Sequence, residues 1–490
     1  MSRTPHIIII TADQMRADAM EPAGDNYAIT PNLSRLAARG TLFKRAYCAV
    51  PTCTPSRTAL FTGRYPHVTN TWQVGTILSD YETTLCDMLK PRGYRNVAIG
   101  KMHFRPQRTE AFPSFGDNED IAKRDGPRVT DGSYFGFDEH HITEDNRVGE
   151  YLDWLQEVAP QYVKSLSRHP DVATCQREGS ELPPEYHQTR WVGDLSVKAI
   201  EEHDPEKPLF LWTSFVDPHH PFDAPKKYVD MYRDRDDRIP KPVMREGEYA
   251  SRPAHLQKNP ASDTYPWPGS AHPGNYNPDE ILDIVRNYYA MITFLDEEVG
   301  RVLDALEAKG MIENSIILFS ADHGELLGDH NLLQKGPWMY ECLTRVPMII
   351  AGPEARNNAK TNALMENVDV VPTLLEWIGQ EIPWGVQGTS QLPVIQGKTD
   401  GVRDTAICAF KGPDIGFNLN VKSISTDRYK LNVFAGEEYA ELFDLQEDPD
   451  ELHNRYDDES YREIQNELYR KLAERLMLDE DPLPKRKSQW

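Results

Sequence analysis

The chain has no long apolar run. A bilayer-spanning helix takes about 20 consecutive apolar residues. The run Ile7-Ile8-Ile9-Ile10 near the start is far shorter than that, and too short for a signal-peptide core. The expectation is a soluble, cytoplasmic protein with no membrane partner. Cysteine is scarce: six in 490 residues, at positions 48, 53, 86, 175, 342 and 408, with no Cys-x-x-Cys pair. Such scattered cysteines do not staple a fold of this length, so mostly free thiols are expected. Positive charge is in deficit, with 54 Lys and Arg against 77 Asp and Glu, a net charge of −23. That balance excludes nucleic acid and anionic lipid as partners. It leaves a small anionic substrate open, because a local cluster of cations outweighs a distant acidic surface. Internal repeats and low-complexity tracts are also lacking.

What is present reads as a large globular chain. Hydrophobic residues make up 39% and charged residues 27%. The length suggests two or three domains. Short β-branched runs at 6–12, 42–49, 97–99, 208–215, 316–319 and 346–351 read as buried strands. Helical periodicity marks 31–38, 85–89, 281–306 and the stretch from Val368. After about residue 385 the pattern changes to short strands at 405–410, 421–425, 429–434 and 441–445, closed by a helix at 461–476. The expectation is an α/β domain over 1–385 and a smaller α+β subdomain over 386–490. Residues 105–190, with one helix starting near Tyr151, and residues 232–280 read as polar loops over a site.

Polar residues gather just past the strand ends, where ligand sites of open α/β sheets lie. Asp13 and Gln14 follow the first strand, and Asp322-His323 follow the strand at 316–319. Lys101 and His103 follow the strand at 97–99; two apart on extended chain, they would point to one side. His219 and His220 are locked between Pro218 and Pro221. Each of these has an ordinary reading too, as a turn cap or a solvated charge. Between them in sequence stands Cys53-Thr54-Pro55-Ser56-Arg57, continuing to Thr62-Gly63. Pro55 fixes φ near a helix start, so residue 53 is expected at a helix N-terminus, which suits an anion.

That stretch resembles the signature of the type I sulfatases, Cys-x-Pro-x-Arg then Thr-Gly. Partner motifs follow in family order: Asp13-Gln14, Gly100-Lys101-Met102-His103, His219, Asp322-His323 and Gln334-Lys335-Gly336. The wording Gly-Lys-Met-His-Phe is similar to choline-sulfatase-like and arylsulfatase members. The resemblance implies the alkaline-phosphatase-like fold: a large mixed sheet flanked by helices, with a small C-terminal antiparallel sheet and helix. It implies that a formylglycine-generating or sulfatase-maturing enzyme oxidises Cys53 to Cα-formylglycine. It implies one divalent cation on Asp13, Asp322, His323 and the modified Cys53, with Gln14 as a further ligand. Oxygen donors favour Ca²⁺ or Mg²⁺, and the histidine keeps Mn²⁺ and Zn²⁺ open. Lys101 and Lys335 would bind sulfate oxygens, and Arg57 would hold a hydroxyl and neutralise charge. His103 would be the base for elimination and His219 the acid for the leaving group.

The implied reaction converts an organic sulfate monoester, of a small molecule or a carbohydrate, to alcohol and inorganic sulfate. The alternative within the superfamily is a phosphonate monoester hydrolase or phosphodiesterase. Those relatives tend to carry hydroxyl residues in place of Gly-Lys-x-His, and this chain keeps Lys101 and His103. A non-catalytic binder of sulfate esters is the reading if Cys53 stays a thiol. Tyr134, Phe135, Trp154, Tyr265 and Trp267 in the two loops suit either a sugar or quaternary amine, or the cores of the loops themselves.

Overall fold

Strand β1 (His6–Ala12) is the axis of the molecule, and Ile7 to Ile10 are fully buried in it. A run apolar on both faces belongs inside a parallel sheet covered on both sides. In the computed structural model, which describes residues 4–105, 134–145, 149–166, 178–257, 278–412 and 418–482, that is its position. Cys175, Tyr265 and Trp267 lie outside the described residues. The strands that follow are β2 (Gly40–Tyr47), β3 (Arg95–Gly100), β4 (Glu139–Ile142) and β5 (Leu209–Ser214). Next come β6 (Ser315–Ala321), β7 (Arg345–Val346), β8 (Met348–Ala351) and β9 (Ala359–Glu366). The sheet runs β4-β3-β5-β1-β6-β8-β2-β7, with β9 also paired to β2. From β4 to β6 all neighbours are parallel; β8 is antiparallel to both β6 and β2. This is a mixed α/β sheet, as the sequence suggested.

The 31-residue helix Pro278–Ala308 packs on the helices Pro31–Ala38, Gln188–Glu201 and Lys226–Arg233. Its apolar stripe, including Tyr288 and Leu295, is buried. Three elements were not legible. Strand β4 and the helix Gln188–Glu201 lie in or reach into the polar stretch 105–190, and β9 opens with half-exposed polar residues that hide its period.

The second sheet contains β10 (Ala406–Lys411), β11 (Asn420–Ser425), β12 (Tyr429–Phe434) and β13 (Ala440–Asp444), an antiparallel meander. Leu468 and Leu472 of the closing helix Arg462–Leu478 pack over Ile407, Ile424, Leu431 and Leu442. The Ala409 N–H donates to the Ala49 carbonyl at 2.9 Å, which joins this sheet to the chain leading into Cys53. Among the described residues no helix is long and apolar enough to cross a membrane.

Candidate active site

Thr52 stays extended (φ −144°, ψ 153°), and the helix Cys53–Thr62 begins at Cys53. Pro55 falls in the first turn, where its missing N–H costs nothing. Gly63 ends the helix in the left-handed region at φ 67°. Every residue of the helix is buried. The Ser56 hydroxyl bonds the Asp322 carbonyl, and Asn367 donates to Ser56 Oγ at 2.8 Å. These bonds pin the helix start to the end of β6.

Around the Cys53 Sγ lie Lys335 Nζ at 2.9 Å, His323 Nε2 at 3.3 Å, Lys101 Nζ at 3.7 Å and Asp13 Oδ1 at 3.9 Å. Asp13, Cys53, Asp322 and His323 bring one donor atom each within 4.8 Å of one another. The His323 Nδ1 is 2.9 Å from the Gly324 carbonyl, which can only accept. That bond places the hydrogen on Nδ1 and leaves the Nε2 lone pair facing the carboxylates of Asp13 and Asp322, the arrangement of a metal-ligating histidine. Burial lowers the His323 pKa, but Asp322 and Cys53 together outweigh it and the net direction is up, so a proton competes for the cation's place. Two converging carboxylates and an imidazole fit a divalent cation.

Arg57 lies beneath this cluster with 1% of its surface exposed. Its Nε donates to Asp322 Oδ2 at 2.8 Å and its Nη2 to Asp13 Oδ2 at 3.0 Å. Its Nη1 donates to the Lys101 carbonyl at 2.7 Å and to Ser214 Oγ at 2.8 Å. One guanidinium therefore clamps both carboxylates. Burial alone would raise the carboxyl pKa values. Lys101 first, with His219 and Arg57 after it, holds Asp13 well below its usual range, and Arg57 holds Asp322 below its own.

Lys101 sits just past β3, where the chain turns under Gly100 (φ +98°); a Cβ there would run into the Ser214 carbonyl. The turn brings Lys101 Nζ to 2.5 Å from Asp13 Oδ2 and against Asp145. The pairing of Lys101 and His103 on extended chain does not hold. His103 has φ 57°, and the Glu144 carboxylate caps its N–H at 2.8 Å. Burial lowers the His103 pKa, and its Nδ1 is 4.0 Å from Glu144 Oε2.

Lys335 Nζ donates to Gln14 Oε1 at 3.1 Å and to His219 Nε2 at 3.1 Å. The Gln14 amide nitrogen faces the Glu325 carboxylate, which fixes the amide with its oxygen toward Lys335. His219 Nδ1 is 2.6 Å from the His220 carbonyl, so Nδ1 carries the hydrogen and Nε2 accepts from the ammonium. Burial, with Lys335 adding to it, lowers the His219 pKa to about 3, so the ring is neutral.

Thus Asp13, Cys53, Lys101, His323 and Lys335 meet directly. Arg57 and Asp322 complete the base, and Gln14 and His219 join through Lys335. Sequence reading missed Asp145, which touches Lys101 and stands 3.8 Å from His219 Nε2. It also missed Glu144 and Glu325, which cap site backbone. None of these stands in a recurring motif. Tyr134 and Phe135, left open between ligand wall and loop core, are core: both are buried against Phe104. Trp154 packs beside Tyr151 and Tyr186.

Residues 5–380 match the family model described as Sulfatase, and residues 328–477 match that of the N-sulphoglucosamine sulphohydrolase C-terminal region. An arylsulfatase of Clostridium perfringens is 32% identical over 470 residues, 94% of this chain and 92% of that one. A choline-sulfatase of Rhizobium meliloti is 28% identical over 466 residues, 92% of this chain and 82% of its own. Among solved structures, the phosphonate monoester hydrolase of Agrobacterium radiobacter is similar with a TM-score of 0.81 at 26% identity, covering 97% of this chain and 96% of that one.

Proposed function

The chain belongs to the sulfatase family and is a sulfuric ester hydrolase, and on that premise we propose that it cleaves a sulfate monoester of a small molecule or carbohydrate at residue 53. Cys53 is the substrate of a formylglycine-generating or sulfatase-maturing enzyme, and its Sγ stands where the oxygens of the hydrated aldehyde will be. That hydrate would supply one hydroxyl to attack sulfur and a second whose deprotonation would re-form the carbonyl and release sulfate. A divalent cation, Ca²⁺ first, on Asp13, Asp322, His323 and residue 53 supplies positive charge against the sulfuryl oxygens.

The remaining steps belong to the side chains. Lys101 and Lys335 hold sulfate oxygens, and their charge is set before the reaction starts. Arg57 keeps Asp13 and Asp322 ionised and aimed. His103, held neutral by burial, has the free capacity to take the proton released in elimination. His219, oriented by the N–H that Lys335 donates to its Nε2, is the acid for the leaving alkoxide; its proton comes from solvent, because Lys335 is by far the stronger base of the pair and keeps its own. Gln14 orients Lys335 through its amide oxygen.

The observation that carries this reading is the convergence of two ammonium groups and three cation donors on one side chain at a helix N-terminus. The test is twofold: the intact mass of the purified chain, which reports loss of the Cys53 thiol, and release of phenol from an aryl sulfate. An intact thiol together with no turnover rejects it. The phosphonate monoester hydrolase reading draws on the structural likeness reported above. Retention of Lys101 and His103 favours sulfate. Comparing kcat/KM on an aryl sulfate and a phenyl phosphonate ester decides between them.

A further inference from the structure

The closing helix Arg462–Leu478 stops short of one end of the small sheet. Ala409 pairs with Lys422, and Lys411 with Asn420, across the β10–β11 ladder. Alternate residues of a strand point to one side, so Lys411 and Lys422 share the face on which Ile407 and Ile424 meet the helix, and they line a cleft together with Leu476 of its last turn. Across from that face stand Val50, Tyr65, His67 and Trp72 of the large domain. Together they line this cleft, which is small, about 50 Å³, and opens to solvent.

The charges in this cleft are not balanced. Among the described residues neither lysine has a carboxylate within ion-pair distance, in a chain whose net charge is −23. The one carboxylate lining the cleft, Asp479, is already paired to Arg475 at 3.2 Å. The buried lysines elsewhere, Lys101 and Lys430, are both matched by carboxylates. Here burial and then the partial pull of Cys408 and Asp479 act on Lys422, with Lys411 repelling it, and its pKa falls. His67 donates Nε2–H to the Asp479 carbonyl at 2.8 Å, and its pKa is lowered by burial and by the same two lysines. Lys411, Lys422 and His67 share one small space in which the lysines have no carboxylate partner among the described residues, an arrangement that suits a ligand bringing the counter-charge. Tyr65 and His67 stack at 5.7 Å, and Trp72 completes a flat apolar wall beside the ammonium groups.

We propose that this cleft is a second oxyanion subsite, in which Lys411 and Lys422 hold a sulfate or carboxylate group whose carrier ring lies at the open mouth against Trp72. Val50 precedes Cys53 by three residues, so the rim lies within roughly 11 Å of extended chain from the reacting residue. A substrate whose second anionic group is held here would have to reach past Val50 to place its ester at residue 53. This part of the inference rests on the sulfatase reading. The same chemistry also admits free inorganic sulfate, the reaction's own product, and the experiment separates the two sources.

The full-length chain is compared with Lys411→Gln, Lys422→Gln and the double variant, all checked by thermal melting. Steady-state kinetics are measured on a monosulfated and a disulfated hexosamine, and inorganic sulfate is titrated calorimetrically. For a substrate-borne group, the double variant raises KM for the disulfated sugar tenfold or more. The KM for the monosulfated sugar and both kcat values then stay within twofold. For free sulfate, the titration falls from two sites to one while both KM values hold. Either result supports the subsite. An unchanged KM with unchanged stoichiometry in a variant that melts like the parent overturns it. Should Lys422→Gln fail to fold, the exposed Lys411→Gln carries the same test. If the parent turns over no sulfate ester, the functional reading fails, and the titration still decides the subsite by itself.

Discussion

The Asp145 carboxylate lies against the Lys101 ammonium, with its second oxygen 3.8 Å from His219 Nε2. If Lys101 holds a sulfate oxygen, as proposed above, substrate has to displace Asp145 from it, and the freed carboxylate then has His219 as its neighbour. Asp145→Asn keeps the shape and removes the competing charge. KM for an aryl sulfate, and the inhibition constant of inorganic sulfate, are expected to fall roughly 5-fold, about 1 kcal/mol of relieved competition. A rise in KM would show instead that Asp145 helps to hold substrate.

His323 presents Nε2 to two carboxylates because its other nitrogen is committed to the Gly324 carbonyl. His323→Ala is expected to weaken cation binding at least roughly 10-fold, measured by metal titration. Chelation should end turnover in the parent, and Ca²⁺ should restore it. Full activity in demonstrably metal-free enzyme would mean that the protonated ring alone balances Asp13 and Asp322.

Gly100 and Gly93 both have positive φ, at +98° and +76°, but only Gly100 faces a backbone carbonyl at close range. Gly93→Ala should cost only the strained conformation, about 1 kcal/mol. Gly100→Ala must also push β3 away from β5 and displace Lys101. Its denaturation midpoint should drop by clearly more than that of Gly93→Ala, and turnover should fall with it. Equal effects of the two substitutions would place the turn at Gly100 outside the site's support.

Cys53→Ser and Cys53→Ala separate attack from regeneration. A serine hydroxyl occupies the position of the attacking oxygen but brings no second hydroxyl to expel sulfate. Incubated with an aryl sulfate, the serine variant should release at most one equivalent of phenol and gain the mass of one SO₃ unit. The alanine variant should do neither. Sustained turnover by the serine variant, near the rate of the mature enzyme, would remove the formylglycine mechanism.

Much of this was legible because the chemistry sits at ends of strongly patterned elements. Ile7 to Ile10 announce a buried strand, and Asp13 follows it. The run 316–319 does the same for Asp322 and His323. Cys53 was placed at a helix start by Pro55 alone. Legibility failed where geometry replaces period. His103 was read on extended chain, but the strand stops at Gly100 and the backbone reverses. Asp145 stands in a polar stretch with no repeat, and only the parallel pairing of β4 with β3 brings it beside Lys101. Arg57 was expected to hold a hydroxyl and neutralise charge; its four bonds to Asp13, Asp322, Ser214 and the Lys101 carbonyl, which fix it beneath the two carboxylates, had no signal in the sequence.

Cys53 is 1% exposed, and the ring that closes over it, His323, lies 270 residues later in the chain. A ribosome adds roughly 5 to 20 residues per second. Cys53 therefore leaves the tunnel some 15 to 55 s before the residues that bury it exist. Any enzyme that must reach this thiol works against that clock. Once the last central strand docks, the thiol is walled in by Asp13, His323, Lys101 and Lys335. Slowing elongation between codons 53 and 323 should raise the fraction of chains that leave the ribosome converted.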